Sequence, residues 1–133
     1  MEANKRVSFT ADLNSARVST LILEDAQTSK IADGVNTFTY TATVLDSNGN
    51  RVPAAALTAT ADKQHVSAVV NGITDAQGRV TVTLKSSTTA TLDIMLSARV
   101  ANTATANADR RVNFTADLAS ATVSSVVLNG SET

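Results

Sequence analysis

An all-β sandwich of about seven strands, present as one complete repeat of a tandem array, is the fold this sequence predicts. Three observations predict it. Apolar and polar residues alternate with a period of two through several runs, the pattern of strands buried on one face. Clusters of turn-forming residues separate those runs. The two ends of the chain also nearly duplicate one another: Lys5–Leu23 and Arg110–Leu128 align without a gap at an offset of 105 residues, with 12 of 19 positions identical.

The clearest alternation runs from Val35 to Asp46, with Phe38, Tyr40, Ala42 and Val44 on one face and Thr37, Thr39, Thr41 and Thr43 on the other. The same signature recurs at Val80, Val82 and Leu84 against Thr81, Thr83 and Lys85. It recurs again at Leu92, Ile94, Leu96, Ala98 and Val100, whose other face carries Asp93, Ser97 and Arg99. Val112 and Phe114 then face one way, and Arg111, Asn113 and Thr115 the other. The turns between are Asp33-Gly34, Asp46-Ser47-Asn48-Gly49-Asn50, Asn71-Gly72 and Asp75-Ala76-Gln77-Gly78, all rich in residues that tolerate positive φ. Strands are therefore expected over about 16–24, 35–45, 55–61, 65–70, 79–86, 91–100 and 103–115, with Pro53 just outside the third, where its missing N–H does no harm. Seven short alternating strands in about 100 residues fit an immunoglobulin-like β-sandwich. With no cysteine, and so no disulfide, apolar packing alone must hold it. The expected core is Phe38, Tyr40, Val44, Val82, Leu84, Leu92, Ile94, Leu96 and Phe114, with Thr39, Thr41, Thr81, Thr83 and Arg99 outside.

A period of 105 residues is too long for a helical solenoid and suits one small domain per repeat. The expected division is 1–13 as the last strand of a preceding repeat, 14–117 as a complete domain, and 118–133 as the first strand of a following repeat. The junction Thr10-Ala11-Asp12-Leu13-Asn14-Ser15 contains no Gly or Pro and is short, whereas flexible linkers are longer and Gly/Ser-rich. Limited freedom between repeats follows. The overhangs carry apolar residues such as Val7, Phe9, Val123 and Val127, and an exposed strand edge pairs with what is available. Head-to-tail association of chains through them is therefore also expected.

Composition narrows the function. A formal charge of −1, scattered basic residues and only four aromatic residues argue against nucleic acid or an anionic membrane as a partner. No apolar run approaches the ~20 residues of a membrane-spanning helix, so this segment is expected to make no direct membrane contact. His65 is the only histidine and has no cysteine to join it in a zinc site. There is no Gly-x-Ser-x-Gly elbow and no Gly-rich phosphate or oxyanion loop. Asp46–Asn50 superficially resembles a calcium loop, but Gly49 is fourth rather than sixth and Leu57 stands where the bidentate Glu would be. No catalytic, cofactor-binding or metal-binding residue is therefore assigned, no cofactor is expected, and the chain reads as a non-enzyme. Asn113-Phe114-Thr115 and Asn129-Gly130-Ser131 match the glycosylation sequon, a frequent chance match to which no role is given.

Three segments in register resemble a known family. Ala32-Asp33-Gly34 opens a Thr-rich strand, Val44-Leu45-Asp46-Ser47-Asn48-Gly49-Asn50 closes it, and Thr74-Asp75-Ala76-Gln77-Gly78 leads into Val80-Thr81-Val82-Thr83-Leu84. Their order and spacing over about residues 16–115 are similar to the bacterial immunoglobulin-like group 1 domain of the intimin and invasin adhesins. The chain departs from that pattern at Arg51, where the family often has Pro, and at Thr89-Ala90, where it has Ala-Gly before the penultimate strand. The resemblance implies a parent anchored in the outer membrane by a β-barrel, with tandem domains as a stalk and a host receptor bound by another part of the parent. On that basis the chain is expected to be a stalk repeat at the cell surface whose partners are the adjacent repeats. The alternative is a module that itself binds a host protein or carbohydrate through its end loops or an exposed strand edge.

Overall fold

The computed structural model describes residues 7–101, 103, 105–117, 122–124 and 126. Among these residues ten strands form: β1 (Arg17–Leu23), β2 (Ser29–Ile31), β3 (Thr37–Leu45), β4 (Leu57–Ala61), β5 (Val66–Val70), β6 (Arg79–Ser86), β7 (Thr91–Ile94), β8 (Leu96–Val100), β9 (Ala106–Asn107) and β10 (Val112–Thr115). One sheet has the order β1-β3-β6-β5, and the opposing layer is built from β2-β10-β7 and β4-β8-β9. The layers meet in an apolar core in which the rings of Phe38 on β3 and Phe114 on β10 lie 5.1 Å apart. The fold is an all-β, immunoglobulin-like sandwich.

The central pair β3 and β6 follows the alternation without a break. Phe38, Tyr40, Ala42 and Val44 are buried, as are Val80, Val82 and Leu84, and the threonines between them face out. Register pairs Tyr40 with Val82 and Thr41 with Thr81, so each face is continuous across the two strands.

Two expected strands are each divided, and the short β2 is additional. The run 91–100 changes sheets: β7 pairs with β10, whereas β8 pairs with β4. The break falls at Met95, between β7 and β8; just before it, inside β7, Asp93 has φ 58°, a left-handed conformation costly for a residue with a side chain. It is held by side chains, with the Asp93 N–H donating to Asn113 Oδ1 at 2.7 Å and Arg111 Nη1 donating to the Asp93 carbonyl at 3.0 Å. The phase slips there, so Thr91 is buried and Leu92, expected in the core, is 57% exposed. The other expected core residues are buried.

The run 103–115 is interrupted between β9 and β10, where Asp109 crosses to the first sheet. Its N–H donates to the Leu21 carbonyl at 3.0 Å, and its Oδ1 accepts the Leu23 N–H at 2.9 Å. A carboxylate thus replaces a backbone acceptor in the ladder. After β1 the chain crosses to the other layer, where β2 runs parallel to β10. Three residues cannot display a period, so nothing in the sequence marks it. Val35, expected to begin the long strand, lies in the loop before β3.

Residues 7–12 form no strand. The anticipated strand of a following repeat falls largely on 118–121, 125 and 127–133, outside the described residues, as do residues 1–6 and the match at Asn129.

Candidate functional site

The topology sorts the loops onto two opposite poles. The chain arrives beside the turns that follow β3 and precede β6, and β10 ends beside the loop that precedes β3. β3 spans the distance between poles with nine residues, about 30 Å at the usual strand rise.

The entry pole carries two copies of one five-residue turn. In Asp46-Ser47-Asn48-Gly49-Asn50, the Asp46 N–H donates to the Asn50 carbonyl, the Gly49 N–H to the Asp46 carbonyl, and Asp46 Oδ1 accepts the N–H groups of Asn48 and Asn50. In Asp75-Ala76-Gln77-Gly78-Arg79 every one of these bonds recurs at the equivalent residue. The Asp-x-x-Gly-x spacing is the cause: the carboxylate satisfies two turn amides, and glycine takes the positive φ, 83° at Gly49 and 72° at Gly78. Only in the second turn is the glycine packed into the domain: Gly78 is buried and its carbonyl accepts the Val44 N–H at 2.8 Å, whereas Gly49 is exposed.

Asp46 has a further task. Its Oδ2 accepts the backbone N–H of Asp12 at 2.9 Å and the side-chain amide of Asn50 at 3.1 Å. Asp12 in turn accepts the Asn14 N–H and caps a 3-10 turn at Leu13–Ser15, whose Ser15 Oγ accepts the Ser47 N–H at 3.0 Å. The junction peptide is therefore bolted to the domain from Asp12 onward. The Asp12 amide, with the Asn50 and Asn48 donors and against the opposing cost of burial, holds the Asp46 carboxyl down to about 2. A carboxyl depressed in the folded state stabilises the fold above its ordinary pKa near 3.9, and that contribution is lost as pH falls toward 2. Acid titration followed by circular dichroism should show stability falling below about pH 4, with a shallower fall in Asp46→Asn.

The calcium-loop resemblance thus meets a carboxylate already committed to four N–H donors. Among the described residues no group of three or more His, Asp or Glu is placed to hold a metal ion. His65 lies in the turn before β5, at φ 69°, with its carbonyl accepting the Ser87 N–H. Melting curves recorded with calcium and with chelator are expected to superimpose; a rise of several degrees with calcium would point to an acidic site between repeats, around Asp12 or Asp117.

Two surface features have no single sequence signal. A groove of about 470 Å³ at the entry pole lies between Phe9, Thr10, Ala11 and Leu13 of the incoming chain and Arg51, Pro53 and Ala76 of the domain. A shallow hollow of about 580 Å³ on the outer face of the four-stranded sheet is lined by Ile22, Ile73, Asn71 and Arg79 among others. Ile22 could have been found, since Leu21-Ile22-Leu23 breaks the alternation and one of the three must point outward. Ile73 lies in a turn, where periodicity is silent.

The duplicated ends behave oppositely. Phe114 and Val112 are fully buried, whereas their counterparts 105 residues earlier, Phe9 and Val7, are almost fully exposed. Val18 and Leu21 are buried in β1, whereas Val123 and Val126 at the equivalent positions are 78% and 88% exposed.

A family model described as bacterial Ig-like domain (group 1) matches residues 20–115. Among solved structures, the D00-D0 domain of intimin is 28% identical, with a TM-score of 0.63, covering 84% of this chain and 50% of that one. The D0-D1 domain of intimin is 29% identical, with a TM-score of 0.60, covering 75% of this chain and 49% of that one. The Yersinia pseudotuberculosis adhesin InvE shares the fold at 23% identity, with a TM-score of 0.51, over 80% of this chain and 27% of that one. The chain thus spans about half the length of the intimin pieces it matches. No curated protein sequence matches it.

Proposed function

The chain belongs to the bacterial Ig-like domain (group 1) family, and from that membership we propose that it is a non-catalytic stalk repeat of a bacterial surface adhesin, extending the reach of a binding domain carried elsewhere in its parent. One observation carries the proposal. The same sequence is core in one copy and bare in the other, as with Phe114 and Phe9, so the bare copies are suited to complete the cores of neighbouring repeats. Chain entry and exit at opposite poles supports an extended array, each repeat adding about 30 Å or more at the usual strand rise. The likeness to intimin pieces supports a surface-exposed parent, anchored in the outer membrane, with adjacent repeats of the same chain as the partners of this domain.

The test is deletion of one 105-residue period from the parent displayed on cells. The height of a distal epitope should fall by about 30 Å or more, while the affinity of the isolated distal domain stays unchanged. The outer-sheet hollow, with Ile22 and Ile73 exposed beside Asn71 and Arg79, favours a second reading, a module that itself binds a ligand. Saturable binding of the isolated chain to host cells, lost in Ile22→Ser with Ile73→Ser, would replace the spacer by that reading.

A further inference from the structure

The stalk reading leaves open whether consecutive repeats hang from a free linker or touch. At the exit pole, Thr115 ends β10, and its carbonyl accepts the Ala32 N–H at 2.8 Å. At the entry pole, Asp12 is the first residue bonded to the domain body, through Asp46. The offset of 105 makes Thr115, Ala116 and Asp117 the counterparts of Thr10, Ala11 and Asp12. In an array, one alanine therefore separates the last strand residue of one repeat from the first anchored residue of the next. Two extended steps of backbone span about 7 Å, too little for the poles to stand apart.

The same offset says what meets the entry pole. The hydrogen bond from Ala32 to Thr115, translated by one period, places the preceding copy's Ala32 on Thr10. Thr10 is already one wall of the entry-pole groove. The loop that follows Ala32 is shaped by Asp33, whose Oδ1 accepts the N–H groups of Val35 and Asn36, and it presents Val35 74% exposed. Across the groove stand Leu13, itself 69% exposed, Pro53 and the cation Arg51. An apolar tip with an acid beside it thus faces an apolar groove with a base on its rim.

We propose that this groove is the seat of the preceding repeat's Asp33–Asn36 loop, so that consecutive repeats form a contacting joint of fixed angle. The proposal rests on the tandem reading above, and the experiment separates the two. The chain is lengthened by one period, with residues 12–116 duplicated ahead of Asp12 so that Ala116 runs directly into it. Because the sequence has no cysteine, a single Thr60→Cys in each copy allows paired spin labels, and their distance distribution is measured.

The expected result is one narrow distribution that at least doubles in width when Gly-Gly-Ser-Gly is inserted between Ala116 and Asp12. Val35→Asp in the first copy, or Leu13→Ser in the second, should broaden it as well. Both residues are exposed, so neither change threatens folding. A broad distribution in the unaltered two-repeat chain would overturn the joint. A narrow one insensitive to Val35→Asp and Leu13→Ser would overturn the seat and leave the short linker as the cause of stiffness. In both cases two folded repeats by circular dichroism leave the tandem reading standing. A duplicated block that fails to fold overturns the tandem reading, and the joint with it.

Discussion

Phe114→Ala is expected to destabilise the chain by about 3–5 kcal/mol, the usual cost of truncating a buried aromatic side chain. The same change at Phe9, in nearly the same sequence, should move stability by no more than about 0.5 kcal/mol, as at other exposed sites. Phe114 is fully buried against Phe38 in the centre of the sandwich, while Phe9 is fully exposed. A domain of this size has about 5–15 kcal/mol in total, so Phe114→Ala removes a large share of it. Denaturant unfolding of the two variants checks both numbers. Equal losses would mean that Phe9 packs into this domain and that the repeat boundary lies elsewhere.

The second large effect separates two glycines in identical turns. Both Gly49 and Gly78 have positive φ, so alanine at either costs about 1–2 kcal/mol in backbone strain. Around Gly49 a new Cβ meets nothing within 4 Å. At Gly78 it would stand 2.8 Å from the Val44 carbonyl oxygen and 3.1 Å from the Val52 nitrogen, both backbone atoms that cannot rotate away. Overpacking adds about 1–3 kcal/mol, so Gly78→Ala should cost roughly 2–5 kcal/mol in all and Gly49→Ala only the strain of about 1–2 kcal/mol. Thermal melts of the pair provide the comparison, and equal losses would show that the two turns are packed alike.

How far the fold could be read depended on how regular each strand was. β3 and β6 were legible residue by residue, because neither carries a bulge and their paired registers keep threonine opposite threonine. The stretch 91–100 looked equally regular, but the chain passes to another sheet at Met95, and just before it Asp93 in a left-handed conformation turns Leu92 outward. Its stabilising partners, Arg111 and Asn113, lie some twenty residues away and leave no local mark. The poles were half legible. Both Asp-x-x-Gly-x turns stand out as turns, but their meeting at one end of the sandwich follows only from the strand order. The groove between Leu13, Arg51, Pro53 and Ala76 is assembled from three separate segments, so no window of sequence contains it. The repeat offset was plain in the sequence, and the occupant proposed for those residues rests on it.

The central claim is that one repeat is complete in itself and that the two ends belong to its neighbours. Residues 11–117, which keep Ala11 and the Asp12 bond to Asp46, test it most directly when their melting temperature is compared with that of the whole chain. The account predicts a folded monomer melting within about 2 °C of the full chain, equivalent to about half a kcal/mol or less for a domain of this size. An unfolded trimmed chain, with the full chain a stable monomer, would contradict it, because residues 7–10 or 118–133 would then be part of this domain's own core.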